Sequence, residues 1–203
     1  FSAAANINSQ STPIKAIRQG VYANDYGFST AYTFSNRFQV GAGVNQMKLD
    51  DGNTRKMANV WLNVETYKHD RWTLNNGVRY DFQRNQFTPS AYYYNPAKTQ
   101  SLEFSSDLSY YQPFDYGVTI THHLRGNVGR NKQLEQTNVT NNWCSQNWCE
   151  RKNSATTWAV SYGHDWKLNK KISLSYEIGR KKNMYDGVSE MNNYGNVNLS
   201  VSF

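Results

Sequence analysis

The chain has 203 residues, among them 15 Tyr, 9 Phe and 6 Trp, with only 18% charged residues and a formal charge of +7. Mean hydropathy is −0.81, and no uninterrupted apolar run approaches the ~20 residues that a membrane helix needs, which excludes a helical membrane protein. The basic residues are scattered, with short clusters at Lys170–Lys171 and Arg180–Lys182 and no basic helix or compact RNA-binding motif, so no nucleic-acid partner is expected.

A sequence rich in Tyr, Thr, Ser and Asn has the composition of strands. It also suits the one membrane fold whose average hydropathy stays low, the β-barrel, because half of each strand faces a polar lumen. Alternation of apolar and polar residues predicts strands over 1–9, 26–35, 37–49, 55–67, 71–84, 101–112, 115–130, 154–167, 171–182 and 193–203, and no helix. The first of these, "FSAAANINS", opens without Met and without a signal peptide, which reads as the start of a processed or excised piece.

The connections sort by length. "SNR" (35–37), "KHDR" (68–71), "PFDY" (113–116) and "LNKK" (168–171) are tight, while 10–25, 85–100, 131–153 and 183–192 are long and "DDGN" (50–53) is a short exception. Short turns at one end and long loops at the other are expected of an outer-membrane barrel, with the turns in the periplasm. A soluble sandwich also alternates but has no reason to sort its connections. The fold class expected is therefore all-β, a transmembrane antiparallel up-and-down barrel.

Alternation also assigns faces, since successive strand side chains point to opposite sides. Val60, Leu62, Val78, Leu102, Phe104, Val160 and Ile178 fall on the lipid side. Trp72, Phe82, Tyr110, Tyr116 and Trp166 lie near strand ends, where an aromatic girdle is expected, whereas Tyr67 counts as inward. Asn76 and His122 fall on the lipid side with no evident reason. The last stretch, "YGNVNLSVSF", places Val197, Leu199, Val201 and Phe203 together and ends on an aromatic at the expected periplasmic interface, an ending characteristic of bacterial outer-membrane barrels.

The inward side collects Glu65, Asp81, Glu103, Asp107, Asp165 and Glu177 against Arg79, Arg125 and Lys167, an acidic lumen in a basic chain. Trp61, Tyr111 and Tyr194 are the inward aromatics. The acids can serve a passing cationic polymer, or can pair with Arg79 and Arg125 to hold the barrel rigid; the aromatics can stack on sugar rings or pack in the lumen. No enzyme is expected. The neighbours His122–His123 and His164–Asp165 point to opposite faces and cannot act together as acid and base, and no Ser sits in a nucleophile motif. Cys144 and Cys149, in "WCSQNWC", are the only cysteines, and an external loop makes a local disulfide the natural reading. No metal or cofactor is expected.

The segment 156–203 resembles the C-terminal end of the poly-β-1,6-N-acetylglucosamine export porin (PgaA) family. The likeness rests on Tyr162, His164, Trp166 and Leu168, then Ile178-Gly179-Arg180, then Tyr185-Asp186-Gly187 with Glu190, and the final Phe203. "DDGNTRKMANVWLNV" (50–64) and "YYYNPAKTQSLEFSSD" (92–107) are similar to a turn and a loop of the same family. The final Val-Ser-Phe and the two cysteines depart from its pattern. The resemblance implies a 16-stranded barrel behind a periplasmic tetratricopeptide-repeat domain that meets the polysaccharide and its deacetylase. This chain supplies about ten strands and no helical repeat of period ~34, so it is expected to be the C-terminal part of the barrel. Export of the partly deacetylated polymer across the bilayer of the bacterial outer membrane is the function implied. A phage or ligand receptor, a structural barrel and a barrel hydrolase are the alternatives.

Overall fold

The computed structural model describes residues 2–9, 22–86, 95–137, 149–185 and 188–202. These form ten strands: β1 (Ser2–Ser9), β2 (Ala23–Ser35), β3 (Phe38–Leu49), β4 (Thr54–His69), β5 (Trp72–Asn85), β6 (Lys98–Pro113), β7 (Thr119–Thr137), β8 (Cys149–Lys167), β9 (Ile172–Tyr185) and β10 (Val188–Val201). All belong to one antiparallel sheet in which each strand pairs with its neighbours in sequence. The sheet is open, β1 and β10 forming its two edges.

A single sheet with so few buried apolar side chains settles the choice between barrel and sandwich. Among the described residues only Ala23, Met47, Leu49 and Ile120 are buried hydrophobics. Val197, Leu199, Ile178, Tyr32 and Phe34 are each more than 60% exposed. No second sheet covers that face among the described residues, and an apolar surface of this extent is stable only against lipid.

Turn chemistry fixes the short end. The amides of Lys171 and Ile172 donate to Asn169 Oδ1 at 2.8 and 2.9 Å, and Arg37 N donates to Ser35 Oγ at 3.2 Å. Asp70 takes a left-handed φ of 51°, which Asp tolerates better than most residues. A single 3-10 turn, Asp115–Gly117, joins β6 to β7 through Tyr116 at φ 60°.

At the long-loop end the strands run beyond the expected boundaries. β7 and β8 stay paired out to Thr137 and Cys149, and β9 and β10 out to Tyr185 and Val188. The 183–192 stretch, expected as a long loop, is thus mostly hairpin. The reason is physical: outside the bilayer neither face needs apolar residues, so the ladder continues where alternation stops.

One inward assignment is corrected. A bulge at Thr66 shifts the register between Glu65 and Tyr67, so that Tyr67 pairs with Leu74 and joins the outward face. Thr66 also accounts for Asn76. The Asn76 amide donates to Thr66 Oγ1 at 2.8 Å, and the Thr66 hydroxyl donates to the Leu74 carbonyl at 3.2 Å, so the outward amide is held by the bulge. Residues 138–148, which include Cys144, and the terminal Phe203 lie outside the described residues, so the expected disulfide and the terminal aromatic do as well.

Candidate functional site on the inward face

Register puts all six expected acids and Trp61 on one side of the sheet. Glu65, Asn75, Asp107, Arg125, Ser161, Gly179 and Tyr194 form one continuous cross-strand row from β4 to β10. Rows on either side add Trp61, Arg79 and Glu103, and Ser109, His123, Gly163 and Glu177. Thr33 of β2 and Tyr194 of β10 line the same trough as Asp107 and Arg125, so the sheet curls around this face.

The acids divide into three groups. Near the centre, Arg125 Nε lies 3.2 Å from Asp107 Oδ2 and its Nη1 2.6 Å from Glu177 Oε2. His123 bridges two carboxylates, with Nδ1 3.1 Å from Asp107 and Nε2 3.1 Å from Asp165. The Tyr194 hydroxyl donates to Glu177 Oε1 at 3.0 Å and completes a chain across five strands.

Toward the loop end, Arg79 grips Asp81 with both Nε and Nη2 at 2.8–2.9 Å. Glu103 stands opposite Arg79 in register but closes no ion pair among the described residues, because the guanidinium is turned onto Asp81. At the turn end, Glu65 lies 4.0 Å from Arg37 and 3.8 Å from Lys68.

The inward face holds more charge than sequence reasoning assigned to it. Asp25, Glu135 and Glu190 join the acids, and Arg55, Lys68, Arg151 and Lys181 join the bases, so the two signs nearly balance. His123 was the main omission. Counting back by two from Arg125 reaches it, but only the pairing of β7 with β8 brings it to Asp165.

Two aromatics lie flat on the wall above glycines. The Trp61 indole occupies the space that a Cβ on Gly41 would take. The Tyr194 ring covers Gly179 in the same way, with Cζ 2.7 Å from where that Cβ would be. Lys181 Nζ sits 5.3 Å from the centre of the Tyr194 ring.

His122 has a role on the opposite face. Its Nδ1 lies 3.3 Å from the Tyr162 hydroxyl and its Nε2 3.2 Å from Gln112 Oε1. Its ring packs 4.4 Å from that of His164 and 5.9 Å from that of Tyr110, with Trp72 4.7 Å beyond Tyr110. An outward histidine near the turns is therefore part of the interfacial aromatic girdle. Among the described residues, no cluster of His, Cys, Asp and Glu could hold a metal ion.

Comparison with known proteins agrees with this architecture. The profile of the PgaA membrane beta barrel domain matches residues 1–203. A solved structure described as a bacterial polysaccharide outer membrane secretin superposes with a TM-score of 0.80 at 18% identity, covering 98% of this chain and 63% of that one. No curated protein sequence matches. The alternating strands, the curled single sheet and the full-length family match lead to one conclusion: the chain belongs to the PgaA membrane beta barrel domain family, and its strands build a transmembrane β-barrel of the bacterial outer membrane.

Proposed function

We propose that this barrel passes a polysaccharide outward across the outer membrane, and that the polysaccharide is partly deacetylated poly-β-1,6-N-acetylglucosamine. The chain spans 63% of the polysaccharide secretin that it resembles, so the reading includes further strands that close the sheet. It also includes a periplasmic partner, the deacetylase, met through a domain outside these residues. Passage, not catalysis, is the role proposed.

The observation that carries the reading is the character of the inward face. It offers amides, hydroxyls, carboxylates and aromatic rings laid along the wall, distributed over strands β4 to β10 without a single deep site. A polymer in transit needs many comparable shallow wells, because binding must be left as readily as it is made. Asp165, 54% exposed, and Glu103, which closes no ion pair among the described residues, are carboxylates open to the polymer's ammonium groups. Each attraction is modest and screened by salt over ~8 Å.

The test replaces Glu65, Asp81, Glu103, Asp107, Asp165 and Glu177 together by their amides, with Arg79→Gln and Arg125→Gln added so that no guanidinium is left alone. Export of deacetylated polymer should fall severalfold at unchanged surface abundance, whereas Asp107→Asn alone should change it little. Normal export by the multiple variant would assign these acids to the barrel's own stability.

A further inference from the structure

The formal charge of +7 must reside somewhere, and the inward face, nearly balanced, does not hold it. It lies outside, at the long-loop end. Lys56, Arg84 and Lys98 are successive partners in one outward cross-strand row, and Lys152 continues that row through Leu134. Arg130 and Lys132 follow on β7, and Arg180 and Lys182 on β9.

On β9 the bases sit lower in register, opposite Val160 and Trp158. The short-turn end steps down in the same direction, from Phe38 opposite Val64 to Trp72 opposite Tyr110. Both follow the strand tilt of a barrel, so the bases of β4 to β7 and of β9 form one collar, with Lys152 standing above it on β8. From Trp72 to Arg84 is about 12 residues, or roughly 30 Å at ~3.4 Å each and ~40° tilt, one membrane thickness above the turns.

Among the described side chains this collar has no counter-charge; Glu150, whose backbone pairs with Gln136 two residues beyond Lys152, lies outside them. Among the described side chains on the outward face of the strands there is no carboxylate, and none of these bases takes part in an ion pair among the described residues. Lys56, Arg84, Arg130, Lys132, Lys152 and Arg180 are exposed. Lys98 rests 5.4 Å from the centre of the Phe82 ring. Beside Lys56 an outward groove opens, lined by Tyr26, Phe28, Val44, Ala58 and Phe82.

We propose that the collar binds the phosphate groups of a phosphorylated lipid of the outer leaflet, with an acyl chain lying in the groove beside Lys56. A phosphate monoester matches a guanidinium fork and neighbouring ammonium groups, and the bilayer boundary strengthens the attraction. The groove runs from the charged row into the apolar band, as a lipid's own geometry requires. A cationic polymer would be repelled here, so the surface is distinct from the inward path and does not depend on what passes through it.

The probe is bisphosphorylated lipid A, with its dephosphorylated form as the control. Native mass spectrometry of the protein purified from outer membranes in mild detergent should show at least tenfold more of the phosphorylated form retained. Lys56→Gln, Arg84→Gln, Lys98→Gln and Lys152→Gln together should reduce that retention at least tenfold, with heat-modifiable mobility on gels confirming a folded barrel. Should the fourfold variant fail to insert, Lys56→Gln with Arg84→Gln should give a graded loss. Equal retention of the two lipids by the unaltered protein overturns the proposal without any variant, as does undiminished retention by a folded variant.

Discussion

Arg125 is the inward residue on which most others depend, because two carboxylates from different strands share its guanidinium. Arg125→Met leaves Asp107 with His123 and Glu177 with the Ser161 and Tyr194 hydroxyls. Breaking a fully buried pair costs about 3–5 kcal/mol. Here the guanidinium is 38% exposed, so screening lowers the expectation to about 1–2 kcal/mol. The shift should appear in the urea midpoint of protein refolded in liposomes. Adding Glu177→Gln should restore most of it, and a double variant no better than the single would show that the pair is not coupled. Trp61 makes a second residue-level prediction. Gly41→Ala places a methyl where the indole lies. The ring must then swing off the wall at a cost of about 1–3 kcal/mol, and Trp61 emission should shift to the red as the ring meets water. An unchanged spectrum in a single-tryptophan background would place the ring elsewhere.

Strand geometry sets the next predictions. The bulge at Thr66 is what carries Tyr67 and His69 to the outward side of β4. Deleting Thr66 removes the extra residue and leaves Glu65 inward and Tyr67 outward in strict alternation, so both rings keep their side and only Asn76 loses its hydroxyl partner. Assembly should therefore be kept, read as an unchanged heat-modifiable band, and loss of that band would show that the bulge itself is required. Thr66→Ala keeps the residue count and should assemble normally with only a small loss of stability. Cys149 opens β8 opposite Thr137, and Cys144 lies outside the described residues. The two cysteines are expected to form a disulfide, so a maleimide-polymer reagent should not shift the unreduced protein on a gel and should add two equivalents after reduction.

The open sheet constrains the assembly as a whole. In a bilayer every backbone amide and carbonyl must be paired, so neither β1 nor β10 can remain an edge. Residues 1–203 expressed by themselves are therefore expected to aggregate or to pair edge to edge, and to form a heat-modifiable monomer only together with strands that bridge the two edges. A folded, monomeric barrel from these residues alone would show that β1 and β10 close on each other. Charge is sorted over the whole molecule too: balanced within, basic outside at the long-loop end, apolar between. That sorting reconciles a chain of +7 with the proposal that a cationic polymer passes along its inward face.

Alternation, turn residues and connection lengths were enough to read the strand count, the pairing order and the two faces, because a period of two is a local property of each segment and the pleat enforces it. The same reading located Glu65, Asp81, Glu103, Asp107, Asp165, Glu177 and Trp61 on one side. It could not tell that Arg79 turns to Asp81 and away from Glu103, or that His123 reaches Asp165, since side-chain pairing across strands depends on register. Register is set by turns and bulges: one extra residue at Thr66 moved Tyr67 across the sheet. The basic collar was hidden for a related reason. Its members are scattered in sequence, and only the pairing of β4 to β8 brings Lys56, Arg84, Lys98 and Lys152 into one row.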